Sequence, residues 1–162
     1  MLFCSYSSKA SAQKIALIDM EYILNKNPSY EKVVEQLSQQ SKKWKAEIET
    51  LQQEYKNMKK NYESELLFFS TEMQFKRKED MLKKELETQE LNRKYWGING
   101  EYYKRRDQLM KPIMDEINKT LEEIAKDKGY HVVFLRSSEI IYFSPQIDIS
   151  NELLLKLGYV TK

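Results

Sequence analysis

The chain has one histidine, His131, and one cysteine, Cys4. His131 falls in a run of strand character, "YHVVFL", and Cys4 in an N-terminal stretch that reads as removable. No Cys–His nucleophile or thiolate metal site can be built from that pair. Carboxylates are abundant, but they belong to the charged faces of helical sequence, with no pocket to shift their acidity. The sequence has neither a phosphate-binding glycine loop nor metal-ligand spacing. These features predict a protein that is not an enzyme and holds no cofactor and no metal.

The unusual chemistry here is apolar. In "SELLFFSTEM", Leu66, Leu67, Phe68 and Phe69 stand side by side among charged residues, and Met73 and Phe75 follow closely. Four adjacent residues point to every side of a helix, so a stapling role and a binding role are both open. An exposed apolar patch marks an interaction surface. A second candidate is "YWGINGEYY", where Tyr95, Trp96, Tyr102 and Tyr103 flank two glycines. Amphipathic rings suit adaptable, weak contacts.

These residues need elements to carry them. "KIALIDMEYIL" opens as a strand around Ile15, Leu17 and Ile18. Asn27 and Pro28 then supply a helix start, a capping side chain followed by a residue with no N–H to waste. Beyond it Trp44, Ile48, Leu51, Tyr55, Met58 and Tyr62 step by 4, 3, 4, 3 and 4, which is the seam of a coiled coil. Extended to Phe69, that helix would be about 60 Å long.

The seam needs a partner, and "STEM" begins a second helix capped by Ser70 or Thr71. It runs to about Tyr95, and Phe75, Leu82, Leu86 and Leu91 are its apolar residues, with a poorer period. A reversal near residues 68–71 makes the two an antiparallel hairpin. Gly97, Gly100 and Pro112 interrupt the return arm and are candidate hinges. Replacing both glycines by Ala is expected to stiffen the arm. Ile113, Ile117, Leu121 and Ile124 then form an apolar face that stops at Gly129. "YHVVFL" and "IIYF" read as a β-hairpin, and a last helix, about Ile149 to Leu157, is capped by Asp148 or Ser150.

The fold class is therefore α+β. Residues 13–34 with 110–162 form a small β-rich body from both chain ends, and 35–109 a helical-hairpin tentacle. Charged residues make up 32% and hydrophobic ones 41%, with 4 Gly and 3 Pro, a mixture that favours long helices. Such a rod buries little surface alone, so oligomerisation is expected. The formal charge is +2, and each basic cluster ("KKWK", "KNMKK", "FKRK") has glutamates nearby. A solvated helix face is favoured over nucleic-acid binding. "MLFCSYSSKASAQ" resembles the tail of a secretory signal ending in an A-x-A site before Gln13, so residues 1–12 are expected to be a signal-peptide remnant and the mature chain periplasmic.

The ordered set "KIALIDMEYIL", "KYWGINGEYYKRRDQLMKPIMDEINKTLEEIAKDKGYHVVF" and "DISNELLLKLGY" resembles the OmpH/Skp family of periplasmic chaperones, in the form seen in Bacteroidetes-type members. The resemblance implies a homotrimer with three helical hairpins around a cavity. The cavity would hold unfolded outer-membrane β-barrel proteins without ATP. Trimerisation would also close the open edges of so small a sheet, which makes Ile15, Leu17, Val132, Phe134, Ile141 and Phe143 candidates for the shared core. Leu66, Leu67, Phe68, Phe69, Met73, Phe75, Tyr95 and Trp96 become candidates for client contact. The chain departs from the strongly basic members, with 13 Lys/Arg against 11 Asp/Glu between Lys42 and Lys94. Electrostatic capture of clients, or of a membrane surface as a further partner, is correspondingly weaker. The rival readings are a structural coiled-coil spacer of the cell envelope and a polyanion-binding protein.

Overall fold

A computed structural model describes residues 13–159; Cys4 and the expected signal remnant lie outside them. In order, the elements are β1 (Ile15–Ile18), α1 (Met20–Asn25), α2 (Pro28–Glu65), a 3-10 turn (Leu66–Phe68), α3 (Thr71–Trp96), α4 (Glu101–Lys128), β2 (Val132–Leu135), a second 3-10 turn (Pro145–Ile147) and α5 (Ser150–Lys156). The described residues fall into two units. One holds both chain ends, up to Tyr30 and from Pro112 onward; the other is Glu31–Lys111.

In the chain-end unit β1 is the central strand. It pairs in parallel with β2, Ile15 opposite Val132 and Ile18 opposite Leu135. On its other edge the Leu17 carbonyl accepts from the Ile149 N–H at 2.9 Å. Both edges of β1 are thus satisfied, which buried backbone requires, and Ala16, Leu17 and Ile18 are buried. Ile23 of α1, Ile113, Ile117 and Ile124 of α4, Ile149, and Leu153 and Leu154 of α5 are the other large buried side chains. Each contributes about 1.5–3 kcal/mol of apolar burial. The expected α4 face is present, with Leu121 half-buried at its margin. Asp148 accepts from the Ser150 N–H at 2.9 Å, Ser150 Oγ accepts from the Asp19 N–H at 2.8 Å, and Asp19 caps α1. This chain of caps ties α1, β1 and α5 together. Gly158, at φ 81°, stops α5.

Two sequence expectations are corrected here. The β-hairpin does not form: β2 joins β1 in parallel, and Ile140–Phe143 has no strand partner. The reason is that β1 has the buried residues and takes both neighbours. Among the described residues no strand lies beyond β2, and Ile141 is 99% exposed. Pro112 does not restart α4 either. The helix runs through it, since a proline removes one i−4 bond while the turns on either side keep theirs.

Asn27 caps α2 through the Ser29 N–H at 2.8 Å, and the helix continues into the second unit. Phe69 N–H returns to the Leu66 carbonyl, and Ser70 Oγ accepts from Met73 N–H at 3.2 Å to start α3. The reversal therefore falls where the sequence placed it. Ion-pair and ring contacts join residue 44 to 95, 54 to 84, and 62 to 69, so α2 and α3 are antiparallel.

Candidate functional site

Along α2 the predicted seam is the buried stripe. Ile48 is buried, and Trp44, Leu51, Tyr55, Met58 and Tyr62 are half-buried, while the residues between them are exposed. Along α3 the inward residues are Gln74, Met81, Lys84, Thr88, Leu91 and Tyr95. From Met81 onward they step by 3, 4, 3 and 4, so the heptad is kept but half its positions are polar. Lys84 bridges Glu54 at 3.0 Å and Glu87 at 3.1 Å, and these hydrogen bonds raise its pKa. A partner-facing lysine of this kind fixes register more than it stabilises.

The apolar residues that the sequence places on α3 therefore divide between two sides of the helix. Phe75 (72%), Leu82 (55%) and Leu86 (46%) are exposed, and only Leu91 of that set faces α2. Their spacing of 7 and 4 puts the three on one side of the helix. The inward set lies about half a turn away at ~100° per residue. Sequence reading followed the largest apolar residues. The signal it missed was the heptad step linking Met81, Leu91 and Tyr95.

At the tip the four apolar residues divide. Phe69 is half-buried with its ring 6.0 Å from that of Tyr62, and Leu66 is at the margin of exposure. Leu67 is 94% and Phe68 84% exposed, and Met73 is also exposed. Stapling and free surface are thus carried by different side chains of one run.

The far end of α3 forms an aromatic cluster. Tyr95 stacks on Trp44 with centroids 4.9 Å apart, and its hydroxyl donates to Glu47 Oε2 at 2.6 Å. That hydrogen bond, with burial and the Glu47 charge, pushes the phenol up to about 12. At 6% exposure Tyr95 is a packing residue, which removes it from the binding surface the sequence suggested. Trp96 is half-buried, edge-on to Trp44 and 5.3 Å from Tyr102.

Between α3 and α4 the chain turns a corner. Gly97 N–H closes on the Arg93 carbonyl and Gly100 N–H on the Gly97 carbonyl, with Asn99 at φ 62°. A Cβ on Gly97 would lie 2.5 Å from the Arg93 carbonyl oxygen, and one on Gly100 2.7 Å from that of Tyr95. The double alanine change expected to stiffen this segment would break its corner instead.

The candidates for self-association in the chain-end unit divide by exposure. Ile15, Val132, Phe134 and Ile141 are exposed, and so are Leu135 and Tyr142, which the sequence reading did not include. Leu17 is buried, and Phe143 is half-buried under the Arg136 guanidinium. His131 holds the start of the ladder, its Nδ1 accepting from the Lys14 N–H at 3.2 Å. Among the described residues no acidic, histidine or cysteine group is arranged to hold a metal ion, and no helix is long and apolar enough to cross a membrane.

The chain combines a long helical hairpin with a small parallel sheet made by both chain ends. The family model for "Outer membrane protein (OmpH-like)" matches residues 14–157, and the chain belongs to that family. Its fold is similar to a crystal structure from Caulobacter crescentus CB15, proposed there to be an OmpH-like outer membrane chaperone. The TM-score is 0.69 at 12% identity, over 99% of this chain and 95% of that one. No curated protein matches the chain.

Proposed function

We propose that this protein is an ATP-independent periplasmic holdase that binds unfolded outer-membrane β-barrel proteins and keeps them from aggregating. Family membership makes an outer-membrane chaperone the starting point. The observation that carries the finer reading is the surface of the Glu31–Lys111 unit. Leu67, Phe68 and Phe75, with Met73, Leu82 and Leu86, are exposed on a highly charged hairpin, although seam positions on α3 are filled by Gln74, Lys84 and Thr88. Apolar residues kept outside while polar ones sit inside cost stability, and a binding surface explains them. Contacts of this kind are weak and non-directional, as capture of many unfolded sequences requires.

The chain-end unit supports self-association, with a homotrimer as the expected state. Among the described residues the outer edge of β2 has no strand partner; β2 exposes Val132, Phe134 and Leu135, and the unpaired Ile140–Phe143 run lies a few residues further on. An open apolar edge of this sort is a template for pairing with another copy.

The test is to dilute a urea-unfolded outer-membrane β-barrel protein into buffer with and without the full chain, in the absence of nucleotide, and follow light scattering. Suppression near one assembly per client is the expected result. Unchanged scattering, with a folded assembly confirmed in the same sample, would replace the holdase by the envelope spacer.

A further inference from the structure

We propose that the client lies along the outward side of α3, against Phe75, Leu82 and Leu86, and leaves the outward side of α2 bare. This rests on the holdase reading and assigns its binding face. The first ground is asymmetry. The side of α2 turned from its seam carries Gln39, Lys42, Ala46, Glu49, Gln53, Lys56 and Lys60, with no large apolar residue, whereas the side of α3 turned from its seam carries three.

The second ground is area. Phe75, Leu82 and Leu86 expose on the order of 300 Å² together, well short of the ~800 Å² per partner in a stable interface between folded proteins. Neither a second copy nor a rigid partner would be held by it. The surroundings also carry both charge signs, Lys78 and Lys83 beside Glu79 and Glu85, so no purely basic or acidic ligand is selected.

The third ground is fit. A β-barrel strand presents an apolar side chain at every second residue, about 7 Å apart, with polar residues between. Leu82 and Leu86 are separated by about 6 Å along the helix axis and Phe75 by about 10 Å more. Leu82 and Leu86 also line an open groove of about 860 Å³ that reaches Met58 of α2. An unfolded strand can place alternate apolar side chains on the stripe and in the groove while its polar ones meet Lys78, Glu79 and Lys83. A folded surface cannot adjust in that way.

The experiment compares the full chain with a triple variant, Phe75→Gln, Leu82→Gln and Leu86→Gln, for binding of a dye-labelled, urea-unfolded outer-membrane β-barrel protein. Circular dichroism and assembly mass are read on the same samples. The expected result is unchanged helix content and mass with affinity weakened by roughly tenfold or more, the equivalent of ~1.4 kcal/mol of lost contact. Equal binding by parent and variant would overturn this assignment and leave the holdase intact. An altered assembly mass would overturn it too, by showing that the stripe joins copies. If the parent itself fails to bind, the holdase reading falls and takes the stripe with it.

Discussion

The two helices of the hairpin solve the same packing problem in opposite ways. On α2 the apolar residues Ile48, Leu51 and Met58 face the seam and the outside is polar. On α3 the seam holds Gln74, Lys84 and Thr88 between Met81, Leu91 and Tyr95, while Phe75, Leu82 and Leu86 face water. A pair of helices selected for stability alone would place those three inside, where each would gain about 1.5–3 kcal/mol. Their position indicates that α3 serves a second surface. On the proposed reading, the contrast separates an α2 that serves only the hairpin from an α3 that also meets a client.

Stability measurements can break this contrast. The largest effect is expected from Ile48→Ala, which opens a cavity in the seam and costs about 2–4 kcal/mol, against less than ~0.5 kcal/mol for Leu82→Ala on the open side. Urea denaturation of both variants checks it, and comparable losses would mean that Leu82 is packed after all. Gly100→Ala comes next. Its Cβ must push aside the Tyr95 and Gly97 carbonyls, a steric overload of about 2 kcal/mol that a lowered Tm would report.

Tyr95→Phe is smaller, about 1 kcal/mol for a hydrogen bond to a carboxylate at the edge of the seam. It also carries a pH signature. The folded-state pKa of Tyr95 is raised from about 10 to about 12. The stability it adds is fully present below pH 10 and is lost as pH rises through 12. The gap between parent and Tyr95→Phe should thus narrow over that window, and a gap that stays constant would remove Glu47 as the cause.

Much of this was legible in the sequence because local rules and burial agree there. Asn27–Pro28, the seam from Trp44 to Tyr62, the reversal at Phe69–Ser70 and the stop at Gly129 follow from capping, heptads and backbone preference. Which side of α3 is inside was not legible, because size alone does not say whether Phe75 and Leu82 are buried, and only the partner helix decides it. The "IIYF" hairpin failed for a similar reason. β-character says that a run can pair, but the pairing of β1 on both edges was set by contacts more than a hundred residues apart, such as Leu17 with Ile149. Tyr95 looked like a free ring beside glycines until Trp44 and Glu47 were placed against it.

The most direct measurement is site-specific photo-crosslinking. Benzoylphenylalanine at position 82 of the full chain, or at position 53 on the bare side of α2, is irradiated with an unfolded outer-membrane β-barrel protein. Strong client adducts from 82 and few from 53 are the predicted result. Equal yields from the two positions, or adducts from 53 alone, would contradict a holdase that works from the outer face of α3.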